Sequence, residues 1–115
     1  MNQTLGTHKR KFLFSVAGAL SPHFVQHFAD EFIKMAGMTP ARKGRVDFYP
    51  YRGGGGKGFT AWFPLMESYL CIDVYDDLEE TEILLSTCRP DRINLDALRN
   101  YLECRVGQVK EIGTL

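Results

Sequence analysis

The stretch from Gly58 to Cys88, GFTAWFPLMESYLCIDVYDDLEETEILLSTC, holds two hydroxyls, a carboxylate and a thiol: Thr60, Ser68, Asp73 and Cys88. A serine hydroxyl beside a base can attack a carbonyl, and a thiol can serve as nucleophile or proton donor. The stretch alternates as three short strands laid back and forth, with a corner over residues 64–67 and an acidic turn over residues 76–80. A symmetric turn centred near Leu78 and Glu79 sets Ser68 beside Arg89 and Tyr69 opposite Cys88. The first corner sets Thr60 across from Cys71 or Ile72, one step from Asp73. The four groups then share a neighbourhood on adjacent strands. Alternation puts Ser68 and Asp73 on opposite faces unless Ser68 lies in the corner itself.

Each residue also has an ordinary role. A serine at a strand start is commonly a turn residue, and Cys88 suits a small core position. Asp73 is harder to dismiss, because a carboxylate inside a β-branched strand is costly unless paired or hydrogen-bonded. His23 and His27 have the i, i+4 spacing of a metal pair, but no third ligand stands near them, so a solvated helix face accounts for both and no metal is expected. The Gly53–Gly56 tract with Lys57 and Gly58 resembles a phosphate cradle. A phosphate-binding loop needs glycine where Tyr51 stands and Ser or Thr where Gly58 stands, so the tract is a flexible loop.

The 115 residues fit one domain, and 44% hydrophobic with 24% charged residues is a globular composition. Fourteen basic residues balance fourteen acidic ones, which excludes a broad nucleic-acid footprint. Three cysteines (Cys71, Cys88, Cys104) without CxxC spacing point to a reducing compartment and away from a disulfide framework. The opening MNQTLGTHKRKF lacks a signal-peptide core, and no apolar run is long enough to cross a bilayer, so a soluble cytoplasmic protein is expected.

The elements that must position the site follow from periodicity. Lys11–Ala17 alternates with Phe12, Phe14 and Val16 on one face, a first strand. Ser21-Pro22 marks a helix start, and Phe24, Phe28, Phe32 and Met35, with Val25 and Ala29, form its apolar stripe up to a C-cap at Gly37. Arg45–Tyr51 is a second strand, with Pro50 at its end or on an edge. After the meander (Gly58–Phe63, Ser68–Tyr75, Glu82–Cys88), Asn94 caps a second helix with Leu95, Leu98 and Leu102 on one stripe, and Gly107–Ile112 is a last strand. The order β-α-β-β-β-β-α-β, with short turns between neighbouring strands, predicts an α+β two-layer sandwich: an antiparallel sheet covered on one face by two helices.

In this order the chain resembles the pyruvoyl-dependent S-adenosylmethionine decarboxylases of the short prokaryotic type. That family carries Gly-x-Ser, then Glu-Ser-His-x-x-Ile-His-x-x-Pro-Glu, then Phe-Thr-Cys-Gly. Here Gly58-Phe59-Thr60 leads to Glu67-Ser68-Tyr69-Leu70-Cys71-Ile72-Asp73, then Asp76-Asp77, then Ser86-Thr87-Cys88, with Ser68 and Cys88 20 positions apart as in the family. Leu5-Gly6-Thr7-His8 resembles the family's Leu-Gly-Arg-His opening. Asp73 stands where the family has its processing histidine, Tyr69 where it has the histidine after the serine, Thr60 where it has the processing serine, and Asp76-Asp77 where it has Pro-Glu.

The resemblance implies that the chain cuts itself between Glu67 and Ser68. The Ser68 hydroxyl would attack the Glu67 carbonyl to give an ester, and elimination and hydrolysis would leave a pyruvoyl group at the head of residues 68–115. That carbonyl forms a Schiff base with a substrate amine and accepts electrons as CO₂ leaves, with no pyridoxal phosphate. By the same resemblance Cys88 is the proton donor, Asp73 the processing base, Thr60 the processing hydroxyl, and Asp77 and Tyr69 contact substrate. Aspartate is ordinarily a weaker base than histidine. A homodimer acting on a small molecule, S-adenosylmethionine for spermidine synthesis, is the expectation. The alternatives are a pyruvoyl-dependent decarboxylase of ornithine or arginine, and an uncleaved homologue acting as a binding or regulatory subunit.

Overall fold

The computed structural model describes residues 10–50, 57–66 and 68–115. Leu5–His8, the Gly53–Gly56 tract and Glu67 lie outside the described residues. Six strands form one antiparallel sheet: β1 (Arg10–Ala17), β2 (Arg45–Pro50), β3 (Lys57–Leu65), β4 (Ser68–Tyr75), β5 (Glu80–Thr87) and β6 (Val109–Thr114). Their spatial order is β2-β3-β4-β5-β1-β6, so the meander occupies the middle and β1 is inserted between β5 and β6. Two helices, α1 (Val25–Met35) and α2 (Leu95–Arg105), complete the expected α+β sandwich. Pro50 ends β2, an edge strand, the setting in which a residue without an N–H is tolerated in a sheet.

Alternation divides the sheet into a helix-covered face and an open one. Phe12, Phe14, Val16, Phe59, Ala61, Phe63, Leu70, Ile72, Val74, Ile83 and Leu85 are buried against the helices. Each fully buried side chain of this size contributes about 1.5–3 kcal/mol relative to exposure. From α1 the partners are Val25, Phe28, Ala29, Phe32 and Ile33, and from α2 Leu98 and Leu102. Met35 is not among them: it is 42% exposed, because the 3.6-residue period carries the buried stripe through Ile33 and Ala36 instead. The helices hold each other through Phe28 stacked on Tyr101 and through the Tyr101 hydroxyl, which donates to Glu31 Oε1 at 2.6 Å.

The helix ends show how local sequence sets boundaries. Gly37, at φ 72°, closes α1: its N–H donates to Lys34 O and the Met38 N–H to Ile33 O, a Schellman motif. Asn94 Oδ1 accepts from Ala97 N–H at 3.1 Å, as a cap should. Ser21, in contrast, does not cap α1. Its Oγ accepts from His23 N–H in a turn that precedes the helix, and Phe24 stands at the N-cap without a side-chain bond. The last strand begins two residues later than its apolar pattern suggests, because Gly107 is spent on a close approach to β1.

A Cβ at Gly107 would stand 1.8 Å from the Ala17 carbonyl oxygen, which is backbone and cannot swing away. Gly107→Ala is therefore expected to lower stability by about 1–3 kcal/mol through overpacking. In urea titration this appears as a lower midpoint at unchanged slope; a midpoint at the wild-type value would contradict this packing.

Candidate active site

The register of the meander places the sequence-identified residues. Four residues, 76–79, join β4 to β5, with Asp76–Leu78 in a 3₁₀ turn and Glu79 in the left-handed region at φ 49°. The turn is thus centred between Asp77 and Leu78, one residue earlier than symmetry about Leu78 and Glu79 would have it. Tyr69 consequently faces Ser86, not Cys88. Continuing that register one step sets Ser68 opposite Thr87, and Cys88 follows directly. Across the other corner Thr60 faces Asp73 itself.

Thr60 and Asp73 make a close polar contact across β3 and β4. Thr60 Oγ1 donates to Asp73 Oδ1 at 2.6 Å. Asp73 also stands directly opposite Glu82, and two carboxylates across a strand pair repel. Each has a hydroxyl: Tyr75 donates to Glu82 Oε1 at 3.3 Å while Thr60 serves Asp73. This hydrogen bonding is what makes a carboxylate tolerable at the centre of the sheet.

Ser68 is the first residue of β4, opposite Leu65, on the helix-covered side. Its Oγ is buried and has no hydrogen-bond partner among the described residues. Buried hydroxyls are usually satisfied, so an orphan calls for a reason beyond packing. Cys88 is half-buried just past β5 and lines a cleft of about 150 Å³ with Met66, Thr87, Arg89, Arg92 and the residues that follow α1 (36–39). Ser68, Thr87 and Cys88 therefore gather at one end of the sheet.

Thr60, Asp73 and Asp77 are not brought to that end within one chain. Asp73 lies five positions from Ser68 along β4, about 17 Å at ~3.4 Å per residue, and on the opposite face. Asp77 is exposed in the turn at the far end of the same strand. Tyr69 is next to Ser68 but points to the open face, where its ring stacks on Trp62 with centroids 4.9 Å apart. Among the described residues no group of three or more His, Cys, Asp or Glu could hold a metal. His27 instead stands 3.5 Å from Glu31 on the exposed flank of α1. No helix of the described residues is long and apolar enough to cross a membrane.

Two features escape the sequence reading. Thr87, nearly fully buried, is the hydroxyl directly across from Ser68, and only the true register reveals it. Trp62, 42% exposed beside Tyr69, makes an aromatic shelf on the open face; the signal was a tryptophan at an outward position of an otherwise alternating strand.

The architecture is that of an open antiparallel α+β sandwich with a site at one end of its meander. No protein-family model matches the chain, and no curated protein matches it by sequence. Among solved structures it is similar to the adenosylmethionine decarboxylase from Aquifex aeolicus VF5, with TM-score 0.64 over 99% of this chain and 89% of that one, at 15% identity. The likeness is one of fold.

Cys71, on the open face beside Asp73, has its thiol pushed up from 9.0 to about 11, first by burial and then by the Asp73 charge. The native state therefore holds this proton more tightly than the unfolded chain, and stability present below about pH 9 is lost as pH rises towards 11. Iodoacetamide should modify exposed Cys104 readily at pH 8 and Cys71 slowly, with the Cys71 rate climbing through a midpoint near pH 11. A Cys71 midpoint at 9.0 would contradict its assigned surroundings.

Proposed function

We propose that this chain is a self-processing, pyruvoyl-dependent carboxy-lyase acting on an amino acid or amino-acid derivative. The observation that carries this is the buried Ser68 Oγ at the head of β4, without a hydrogen-bond partner among the described residues and beside a cleft lined by Cys88. A hydroxyl that packs without a partner is one that packing alone would have replaced by a methyl group. The fold shared with an adenosylmethionine decarboxylase supports the same class of reaction, and S-adenosylmethionine, for polyamine synthesis, is the first substrate to assay.

The chemistry begins with the chain itself. Ser68 Oγ attacks the Glu67 carbonyl carbon; the C–N bond between them breaks as the ester C–O bond forms, and the hydroxyl proton passes to the new amine. Loss of the Ser68 α-proton then expels residues 1–67 as a carboxylate. Tautomerisation and hydrolysis release ammonia and leave a carbonyl at the head of residues 68–115. Once formed, that pyruvoyl group supplies the electron sink for loss of CO₂ from a substrate amine. Cys88 keeps a proton at Sγ in the adjoining cleft, ready for the carbon that loses CO₂.

Thr60 and Asp73 act in this scheme across a homodimer. One chain holds them about 17 Å from its own Ser68, on the other face of the sheet. A second copy, docked against the open face and the strand end at exposed Met66, supplies its Thr60–Asp73 pair to this Ser68 as hydroxyl and base, and Tyr69 and Asp77 contact substrate at the same junction. The separation within one chain also motivates a second reading, an uncleaved homologue that binds ligand without turnover.

Mass measurement of the denatured protein from its native source separates the two. The expected result is loss of the 13.1 kDa chain in favour of fragments 1–67 and 68–115, the latter with a blocked N-terminus. Ser68→Ala should abolish cleavage, and Thr60→Val or Asp73→Asn should slow it by roughly 10²-fold or more, the usual loss when a proton-transfer partner is removed. A preparation of intact chain with unmodified Ser68 would overturn the proposal in favour of the uncleaved reading.

A further inference from the structure

The end of the sheet that holds Ser68 is locally basic in a chain whose charges balance overall. Arg89 and Arg92 line the cleft beside Cys88. Arg10 faces Thr87 from β1, on the helix-covered side, and Lys34 sits in the last turn of α1. Against these, among the described residues, stands Asp91, which accepts from Arg89 at 3.4 and 3.5 Å. Both side chains of that pair are more than half exposed, so water screens the bond and an incoming oxyanion can compete for the guanidinium. Arg92 acts on the same Asp91 carboxylate through its charge, so the two guanidinium groups share one counter-charge. Guanidinium groups are suited to planar oxyanions, which they grip with two parallel hydrogen bonds. The volume, about 150 Å³, equals roughly five waters' share of liquid and admits a short acidic side chain.

We infer that the cleft beside Cys88 binds the acid group of an acidic amino acid, with Arg89 and Arg92 as its anion-binding pair. That this amino acid is also the substrate rests on the processing reaction proposed above; the binding does not. The carboxylate that departs as CO₂ loses its charge in the transition state, so pairing it with arginine would hold back the reaction. The two cations therefore suit a second acid group, on the side chain. An acidic substrate would set this chain apart from a decarboxylase of S-adenosylmethionine, the substrate that the shared fold suggests, and of ornithine or arginine: each carries a positive charge beyond the amino group, which the same cations repel.

Charge-selective labelling of the full chain, cleaved or not, tests this. Cys88 and exposed Cys104 are alkylated with anionic iodoacetate and neutral iodoacetamide, and the modified peptides are quantified by mass spectrometry. The iodoacetate-to-iodoacetamide rate ratio should be about fivefold or more higher at Cys88 than at Cys104, as expected where local cations concentrate an anion. The excess should disappear in Arg89→Gln/Arg92→Gln, whose exposed side chains leave the core untouched. L-Aspartate or L-glutamate should slow labelling of Cys88, and L-ornithine should not. Equal ratios at the two cysteines, or an excess that survives the double substitution, overturns the inference. Because labelling needs no cleavage, a cleaved chain without the excess refutes the anion cleft alone. An uncleaved chain with the excess refutes the processing reaction and leaves the binding site standing.

Discussion

The backbone register of β3, β4 and β5 decides what every side chain of the meander can reach. A four-residue turn with Glu79 in the left-handed region joins β4 to β5, and the apolar alternation of Leu70, Ile72 and Val74 keeps the pairing from slipping. A slip of one residue would carry all three out of the core and Asp73 into it, at a cost no local contact could offset. With the register fixed, Asp73 meets Thr60, Tyr69 meets Ser86, and Ser68 comes to lie across from Thr87. The chemistry of the site follows from hydrophobic burial acting through strand pairing.

Much of this was legible in the residues themselves. Strong periodicity identifies β1 and α1, and Gly37 announces the end of α1 and Asn94 the start of α2 because each supplies something the backbone needs there: positive φ in one case, an acceptor for an unpaired N–H in the other. The start of α1 falls later than Ser21-Pro22 suggests because these residues serve equally well in a turn, and here the turn takes them. The register of β4 against β5 differs by two positions from the expected one because a run of five residues, four of them acidic, does not say which four form the turn. That small shift separates Cys88 from Tyr69 and brings Thr87 across from Ser68. The separation of Ser68 from Asp73 was visible as a difference in parity, but its consequence emerges only when both faces of the sheet are known.

The two faces divide the labour. The helix-covered face supplies stability and holds the buried hydroxyl at the strand end, while the open face carries Thr60, Asp73, Cys71 and the Trp62–Tyr69 stack. Asp73 is costly where it stands and is supported by Thr60, so a purely structural sheet would gain by replacing both. In the proposed function a second copy gives the pair a use, by bringing Thr60 and Asp73 to a Ser68 that they do not reach within their own chain.

The most direct test of this account is complementation between two inactive chains. One carries Ser68→Ala and retains Asp73; the other carries Asp73→Asn and retains Ser68. Unfolded together and refolded, the mixture should yield cleavage of the Asp73→Asn chain between residues 67 and 68, beyond what that chain achieves alone, while the Ser68→Ala chain stays whole. If the mixture cleaves no faster than the Asp73→Asn chain by itself, Thr60 and Asp73 do not act across a dimer and the account fails at its centre.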